Sequence, residues 1–355
     1  MKKHIRLLSL AAAVLVLSAP LKTLAANGDE DIRKQRLINK NYPVTADDKL
    51  EIENSFGNVV VSTWDKQEIT VDIEISARAS SEERAQAIMN NIDVKDWKDG
   101  HTIGFKTKVG EIHNNNRENH GRGDGERGFY IDYVIHMPAS NRLEIENSFG
   151  KTEVPEFKGL VSLTSKFGSL NTGKLDNVDQ IDVEFGRAYI AAVANGKVVF
   201  KFNKESRIGK VDGTVKISSE FSQNVQFNVA DDIQDLAVFE SYSGVRMVVS
   251  KDLSAQFDVH TSFGNFHNES EISIKEAKED GDETRGPHFD KDYSGRSGDG
   301  KAKIRVKSSF GNVRLSYTGD NDRNRDNEDG DDDKDKEKNK HKSKSKDKDT
   351  DNETR

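Results

Sequence analysis

The feature that most constrains the fold of this chain is a short aromatic phrase that returns at nearly constant spacing. The phrase is Phe-Gly, preceded by Ser in four copies, and three looser copies lie between the others. From Phe149 onward the successive spacings are 18, 18, 17, 19, 21 and 21, followed by one of 47. We call its aromatic residues the aromatic ladder: Phe56, Phe149, Phe167, Phe185, Phe202, Phe221, Tyr242, Phe263 and Phe310. A unit of this size cannot bury its own apolar face, so stacking of successive units is predicted.

Every copy has the same internal pattern. Before the aromatic residue, inward-type residues alternate, as in Leu50, Ile52 and Asn54, which is typical of a strand with one buried face. After it, apolar residues stand at Val59 and Val61, so the phase has shifted by one residue and the backbone must bend. We expect the aromatic ladder to point into the core, and the glycine that follows to supply a positive φ at the bend. These corner glycines are Gly57, Gly150, Gly168, Gly186, Gly264 and Gly311.

The repeats predict an all-β chain in which the segment 141–318 forms a β-solenoid, with the ladder spacing of 17 to 21 as its coil length. A polar insert near 276–299 explains the long last interval if it loops out of a regular array. An antiparallel meander with hairpins at Phe-Gly is the alternative. The phrase "LEIENSFG" begins at Leu50 and again at Leu143, so the first copy is expected to join the same sheet system.

The remaining segments differ in composition. Residues 49–140 alternate like strands and carry one helical stripe, which predicts a strand-rich portion with a short helix near 80–92. The loop 111–128 and the charged tail 319–355 are poor in apolar residues and are predicted to be disordered. The segment 26–48 is predicted to be an N-terminal lead segment. No metal-binding motif fits the tail, because an EF-hand loop would need Gly and Glu at positions that other residues occupy.

The segment 1–25 has the order of a secretory signal peptide: Lys2, Lys3 and Arg6, then an apolar run, then small residues before Ala26. We therefore expect an exported protein, periplasmic or at the cell surface of a bacterium, without a transmembrane segment in the mature chain. The absence of cysteine excludes disulfides and thiolate sites. Removal of four basic leader residues changes the formal net charge from −8 to −12, which argues against a nucleic-acid partner.

The motifs resemble one known family. The phrases "IENSFG", "LTSKFG", "VHTSFG" and "VKSSFG", together with the strand that ends in "IHMPAS", are similar to those of the bacterial exported proteins called putative adhesins. This is a domain-of-unknown-function family with stacked β repeats, and the likeness covers about residues 45–318. The resemblance implies an envelope-located β-solenoid and transfers no catalytic residue.

The repeats carry no recognisable catalytic or metal-binding pattern. Glu184 and Glu220 precede ladder residues but are too dispersed to define an acid/base pair. The histidines His113 with His120, and His260 with His267, lack a third ligand at a metal-like spacing. The sequence therefore predicts no catalytic residue, no cofactor and no metal.

The expected function is a non-enzymatic, adhesin-like binding or structural protein that recognises an envelope polysaccharide or an envelope protein. One alternative is an envelope-stress sensor that docks to a membrane partner. A carbohydrate-active enzyme is the third and least favoured.

Overall fold

The computed structural model describes residues 31–110, 128–277 and 289–318. Within these ranges the chain is all-β with one short helix, as predicted, and its strands form a single sheet system. The predicted signal peptide, the loop 111–127 and the tail 319–355 lie outside the described residues. The helix α1 is Glu82–Asn90, within the predicted range, and the Ser81 hydroxyl accepts a hydrogen bond from the Arg84 amide at 3.3 Å.

The strands of the N-terminal portion are β1 (Ile32–Pro43), β2 (Lys49–Ser55), β3 (Val59–Trp64), β4 (Glu68–Ala79), β5 (Ile92–Asp99), β6 (Thr102–Val109) and β7 (Gly128–Pro138). The strands of the repeats are β8 (Arg142–Ser148), β9 (Lys151–Val154), β10 (Phe157–Lys166), β11 (Ser169–Glu184), β12 (Arg187–Lys201), β13 (Glu205–Glu220), β14 (Val225–Val229), β15 (Asp235–Ser241), β16 (Gly244–Val249), β17 (Ala255–Ser262), β18 (Asn265–Asn268), β19 (Ile274–Glu276), β20 (Asp290–Arg296), β21 (Ala302–Ser309) and β22 (Asn312–Tyr317).

Neighbouring copies of the repeat pair in parallel and in register. β8 pairs with β10, β10 with β11, and β11 with β12, while β9 pairs with β11 on the other side of the Phe-Gly corner. An antiparallel meander with hairpins at Phe-Gly is therefore wrong for these copies. Equivalent residues of successive copies lie side by side, so each column of residues runs along the stack.

The order of the copies in the stack departs from their order in the chain. β21 and β22 lie between β15 with β16 on one side and β17 with β18 on the other. The polar insert is not simply looped out, because its residues Asp290–Arg296 form β20, which pairs antiparallel with β17. As a result, the last copy, which contains Phe310, lies between the two copies that precede it in the chain.

The N-terminal portion closes one end of the stack. The first copy joins the sheet as predicted: β2 pairs in parallel with β8, and β3 with β9. Beyond it β4 pairs antiparallel with β7 and with β1. β1 lies inside the segment 26–48, so the strand-rich portion begins before Lys49. Antiparallel, charged end strands of this kind protect a sheet edge from unwanted pairing.

One narrow core runs through the whole stack. It is built from the alternating inward residues of the parallel strands, such as Ile145, Leu163, Ile181, Ile217 and Val238, each at most 1% exposed. Because each copy supplies a few aliphatic side chains, burial is complete only where copies lie on both sides.

Candidate functional site

All nine residues of the aromatic ladder form one column along a corner of the stack. Successive ring centroids are 4.8 to 5.2 Å apart and the ring planes differ by at most 6°. The order is that of the strands, so Phe310 stacks between Tyr242 and Phe263. Phe129 meets one end of the column edge-on, and Phe289 stacks on the other end. Eight spacings near the strand separation make the column about 40 Å long.

The expectation that the aromatic ladder lies in the core is wrong. Its side chains are 38% to 52% exposed, whereas the residues two places earlier, such as Asn54 and Asn147, are buried. The cause is the backbone: φ is 49° to 64° at all nine ladder residues, the left-handed region. A residue in that conformation turns the chain, so two consecutive side chains point outward and the inward alternation resumes at the glycine.

Hydrogen bonds between copies hold this backbone conformation. The amide of Phe167 donates to the carbonyl of Glu184 at 3.0 Å, and the amide of Phe185 donates to that of Lys201 at 2.9 Å. Every ladder residue makes the equivalent bond to the chain segment beside it. A non-glycine residue in the left-handed region costs about 1–2 kcal/mol, and this bond together with ring stacking offsets that cost.

The corner glycines have a different role from the predicted one. None of them has a positive φ. They are required because the copies approach closely: a Cβ on Gly168 would lie 1.9 Å from the Gly150 carbonyl oxygen, and a Cβ on Gly150 would lie 1.8 Å from that of Gly57. A Cβ on Gly186 would likewise lie 2.3 Å from the Gly168 oxygen. The glycine column is therefore a backbone contact between copies. The same holds at the far end, between Gly264 and Gly311.

Three copies without glycine use polar side chains at the same position. The Gly186 amide donates to Asn203 Oδ1 at 3.0 Å, the Asn203 amide to Ser222 Oγ at 3.1 Å, and the Ser222 amide to Ser243 Oγ at 3.0 Å. The chain of bonds ends at the buried carboxylate of Glu240, which accepts from the Ser243 amide at 2.6 Å. Burial raises the pKa of Glu240.

The two candidate carboxylates lie on one strand face beside the ladder. Glu184 and Glu220 occupy the same column with Lys201 between them, and Lys201 Nζ lies 3.2 Å from Glu184 Oε1. This hydrogen bond raises the pKa of Lys201. Asp182, one alternation earlier, has its pKa raised by burial. Lysine and carboxylate thus alternate along the column, which neutralises the Glu184 charge.

The histidines are separated. His260 Nδ1 lies 2.8 Å from Asp292 Oδ1, and His267 lies on the other side of the corner beside Arg314. His113 and His120 lie outside the described residues. Within residues 31–110, 128–277 and 289–318, no three His, Asp or Glu side chains are grouped for a metal ion. The absence of metal and cofactor stays a prediction.

A surface groove of about 580 Å³ lies on the strands that follow the Phe-Gly corner. It was not predicted from the sequence. Its lining residues come from five neighbouring strands and form two columns along the stack. One column consists of Val60, Glu153, Asn171, Tyr189 and Arg207, and the other of Pro155, Gly173, Ala191 and Gly209. The sequence signal for the groove was weak: Gly173 and Ala191 each stand six places after a ladder residue, and Gly209 stands seven places after Phe202.

Among the described residues, no helix is long and apolar enough to cross a membrane. No protein-family model matches the sequence, and no curated protein is significantly similar to it.

Several solved structures resemble the chain over most of its length. A putative adhesin from Bacteroides fragilis is 11% identical, with a TM-score of 0.34, and the match covers 79% of this chain and 97% of that one. A putative cell adhesion protein from Clostridium sporogenes is 11% identical, covers 81% and 100%, and has a TM-score of 0.23. A putative lipid binding protein from Parabacteroides distasonis is 8% identical, covers 79% and 96%, and has a TM-score of 0.26. Likeness of this degree does not assign a function.

Proposed function

We propose that the chain is an exported, non-enzymatic β-solenoid of the bacterial envelope, adhesin-like in kind, that binds an extended envelope protein along its aromatic ladder. Two features support the solenoid: regularly spaced copies pair in parallel with their neighbours, and one core runs through them. Export is supported by the signal-like sequence before Ala26.

The exposed aromatic column is the observation that carries the binding role. A large aromatic side chain presents about 200 Å², and nine of them at 38% to 52% exposure therefore present on the order of 900 Å² in one strip. The largest apolar patch on an ordinary monomer is about 300–600 Å². A strip of this size indicates a surface that another molecule covers.

The ring orientation favours a protein over a sugar at this strip. Each ring face is covered by its neighbours at 4.8 to 5.2 Å, so the ring edges are what the column offers to solvent. A sugar that stacks on an aromatic ring needs a free ring face. A row of apolar side chains on an extended polypeptide can pack along ring edges, with many small contacts adding up over the column.

The non-enzymatic part of the proposal rests on the carboxylates already described. Glu184 is paired with Lys201, which leaves Glu184 and Glu220 without a shared open position between them. Incubation with envelope and plant polysaccharides, with and without calcium, should produce no new reducing ends. Catalytic turnover of any of these polymers would refute this part.

The binding test compares retention by solubilised envelope proteins and by envelope polysaccharide. A double variant, Phe167→Asn with Phe221→Asn, removes two rings while introducing residues that tolerate a positive φ. The matched control, Leu37→Ser with Leu160→Ser, removes two exposed apolar side chains outside the ladder. We expect the ladder variant to lose at least tenfold in retention by the protein fraction and the control to retain it. Equal retention of both variants, or retention of the wild type by neither fraction, would refute the proposal.

A further inference from the structure

We propose a second binding site, independent of the aromatic ladder: the groove that contains Tyr189 binds a neutral oligosaccharide. The site lies on the strands that follow the Phe-Gly corner, so its occupant need not touch the ladder rings. A protein with both surfaces could join a glycan to an envelope protein.

The groove exists because two sets of strands diverge. β3 pairs with β9 only at Val59 and Val60, after which β3 continues beside β7 to Trp64. β9 instead ends at Val154 and the chain turns at Pro155. The longer strands of the N-terminal portion thus extend past the turn of the coils and form one wall of the groove.

Two glycines keep part of the groove floor free of side chains, because close backbone contacts leave no space for a Cβ at either position. A Cβ on Gly173 would lie 2.4 Å from the Glu156 amide nitrogen, and a Cβ on Gly209 would lie 2.6 Å from the Ala191 carbonyl oxygen. The requirement for small residues at this turn leaves a trough along the stack beside the Tyr189 column. Its depth is therefore a consequence of how the copies pack.

The lining combines an aromatic ring with planar polar groups. Tyr189 is 39% exposed, and its hydroxyl donates to Glu205 Oε2 at 2.7 Å, which holds the ring in place. Asn171 lies directly beside Tyr189 in the sheet. Its side-chain amide is half-buried and makes no hydrogen bond to any described residue. A free amide beside an aromatic ring, over an apolar floor, suits a ligand with hydroxyl groups on its rim and an apolar face.

The charges of the groove favour a neutral ligand. Glu153 is paired with Lys151 at 2.7 Å, and Arg207 with Glu205 at 2.9 Å. The hydrogen bond from Tyr189 contributes most to lowering the pKa of Glu205. This carboxylate therefore stays ionised and remains paired with Arg207. Each charge on the lining column therefore has a partner, and a polyanion would have to displace one. Neutral sugars form hydrogen bonds with such groups without separating the pairs.

The groove has the length of an oligomer. The lining column crosses five strands that lie side by side in the order β3, β9, β11, β12 and β13, each about 4.8 Å from the next. The trough is therefore about 19 Å long, which holds several sugar rings in a row. A single monosaccharide would occupy a small part of it and bind weakly.

The test uses the full mature chain with three neutral probes: cellohexaose, mannohexaose and xylohexaose. Binding is measured by calorimetry and by saturation transfer from protein to sugar protons. We expect saturable binding of at least one hexasaccharide, at least tenfold weaker binding in Tyr189→Ser and in Asn171→Ala, and binding within threefold of wild type in Tyr189→Phe, which keeps the ring. Tyr130→Ser, an exposed tyrosine outside the groove, is the matched control and should bind as wild type does.

The variants separate a structural effect from a binding effect. Thermal midpoints of all four variants are measured, and a loss of binding counts only where the fold remains intact, with Asn171→Ala as the second variant if Tyr189→Ser unfolds. Binding of none of the three probes, or binding that the groove variants leave unchanged, would overturn the inference. Polygalacturonate, an acidic polymer, is tested in parallel, and salt-dependent binding of that polymer alone would also overturn the inference. Failure here leaves the ladder proposal standing, because retention by envelope proteins is measured separately.

Discussion

Phe185 provides a sharp test of the left-handed backbone at the ladder. At this position we expect glycine to be more stable than alanine, the reverse of the usual order in a strand. The ring is 48% exposed, so folding buries about half of roughly 200 Å², which corresponds to about 2.5 kcal/mol at 25 cal/mol per Å². Phe185→Ala and Phe185→Gly both lose this contribution. Only glycine also escapes the strain at φ 55°, which returns about 1 kcal/mol.

The measurement is the shift of the denaturation midpoint in urea for the two variants. Glu184, the preceding residue, has an ordinary strand conformation, and its alanine and glycine variants are the matched control. There glycine should be less stable than alanine by about 0.5–1 kcal/mol. If Phe185→Ala were as stable as Phe185→Gly while the control behaved normally, the ladder residue could not be in the left-handed region.

The packing of the copies supports three more predictions. Gly168→Ala should cost several kcal/mol or prevent folding, because its Cβ would overlap a carbonyl oxygen, whereas Gly244→Ala, with open space around it, should leave the melting temperature nearly unchanged. Glu240→Gln should stabilise the protein at about pH 8 and not at about pH 4 in melting experiments, because burial raises the pKa of Glu240 and the wild type loses stability as the pH rises through that folded value. In the cysteine-free chain, Ser241→Cys with Ser309→Cys should form a disulfide on oxidation, since Ser241 on β15 is paired directly with Ser309 on β21. A failure to cross-link would contradict the order of the last copies.

The repeat could be found in the sequence, but the direction of its aromatic residue could not. Alternation before Phe185 predicted an inward side chain, and alternation after it implied a bend somewhere near Phe-Gly. The bend exists, and it lies at the phenylalanine, which turns the ring outward. When one of two adjacent residues is glycine, intrinsic preference assigns the left-handed conformation to the glycine. The sequence alone therefore indicates the wrong residue here. Gly168 is instead required because its backbone packs against the backbone of Gly150 in the neighbouring copy, a contact that exists only once the copies are stacked.

The groove escaped the sequence for a related reason. Asn171 and Tyr189 belong to successive copies and become neighbours only when those copies pair in register. The binding surface proposed for Asn171 and Tyr189 depends on this pairing, because it brings the side-chain amide next to the aromatic ring.

The amino-acid sequence was sufficient to infer that the chain is built from short stacked strand units around one core, since period-two alternation and the regular return of Phe-Gly leave few other ways to bury the apolar residues. The side on which the aromatic column lies, and the order in which the last copies stack, could be read only from the three-dimensional structure. Both depend on contacts between copies, where a backbone hydrogen bond or a steric limit outweighs the local preference of any single residue.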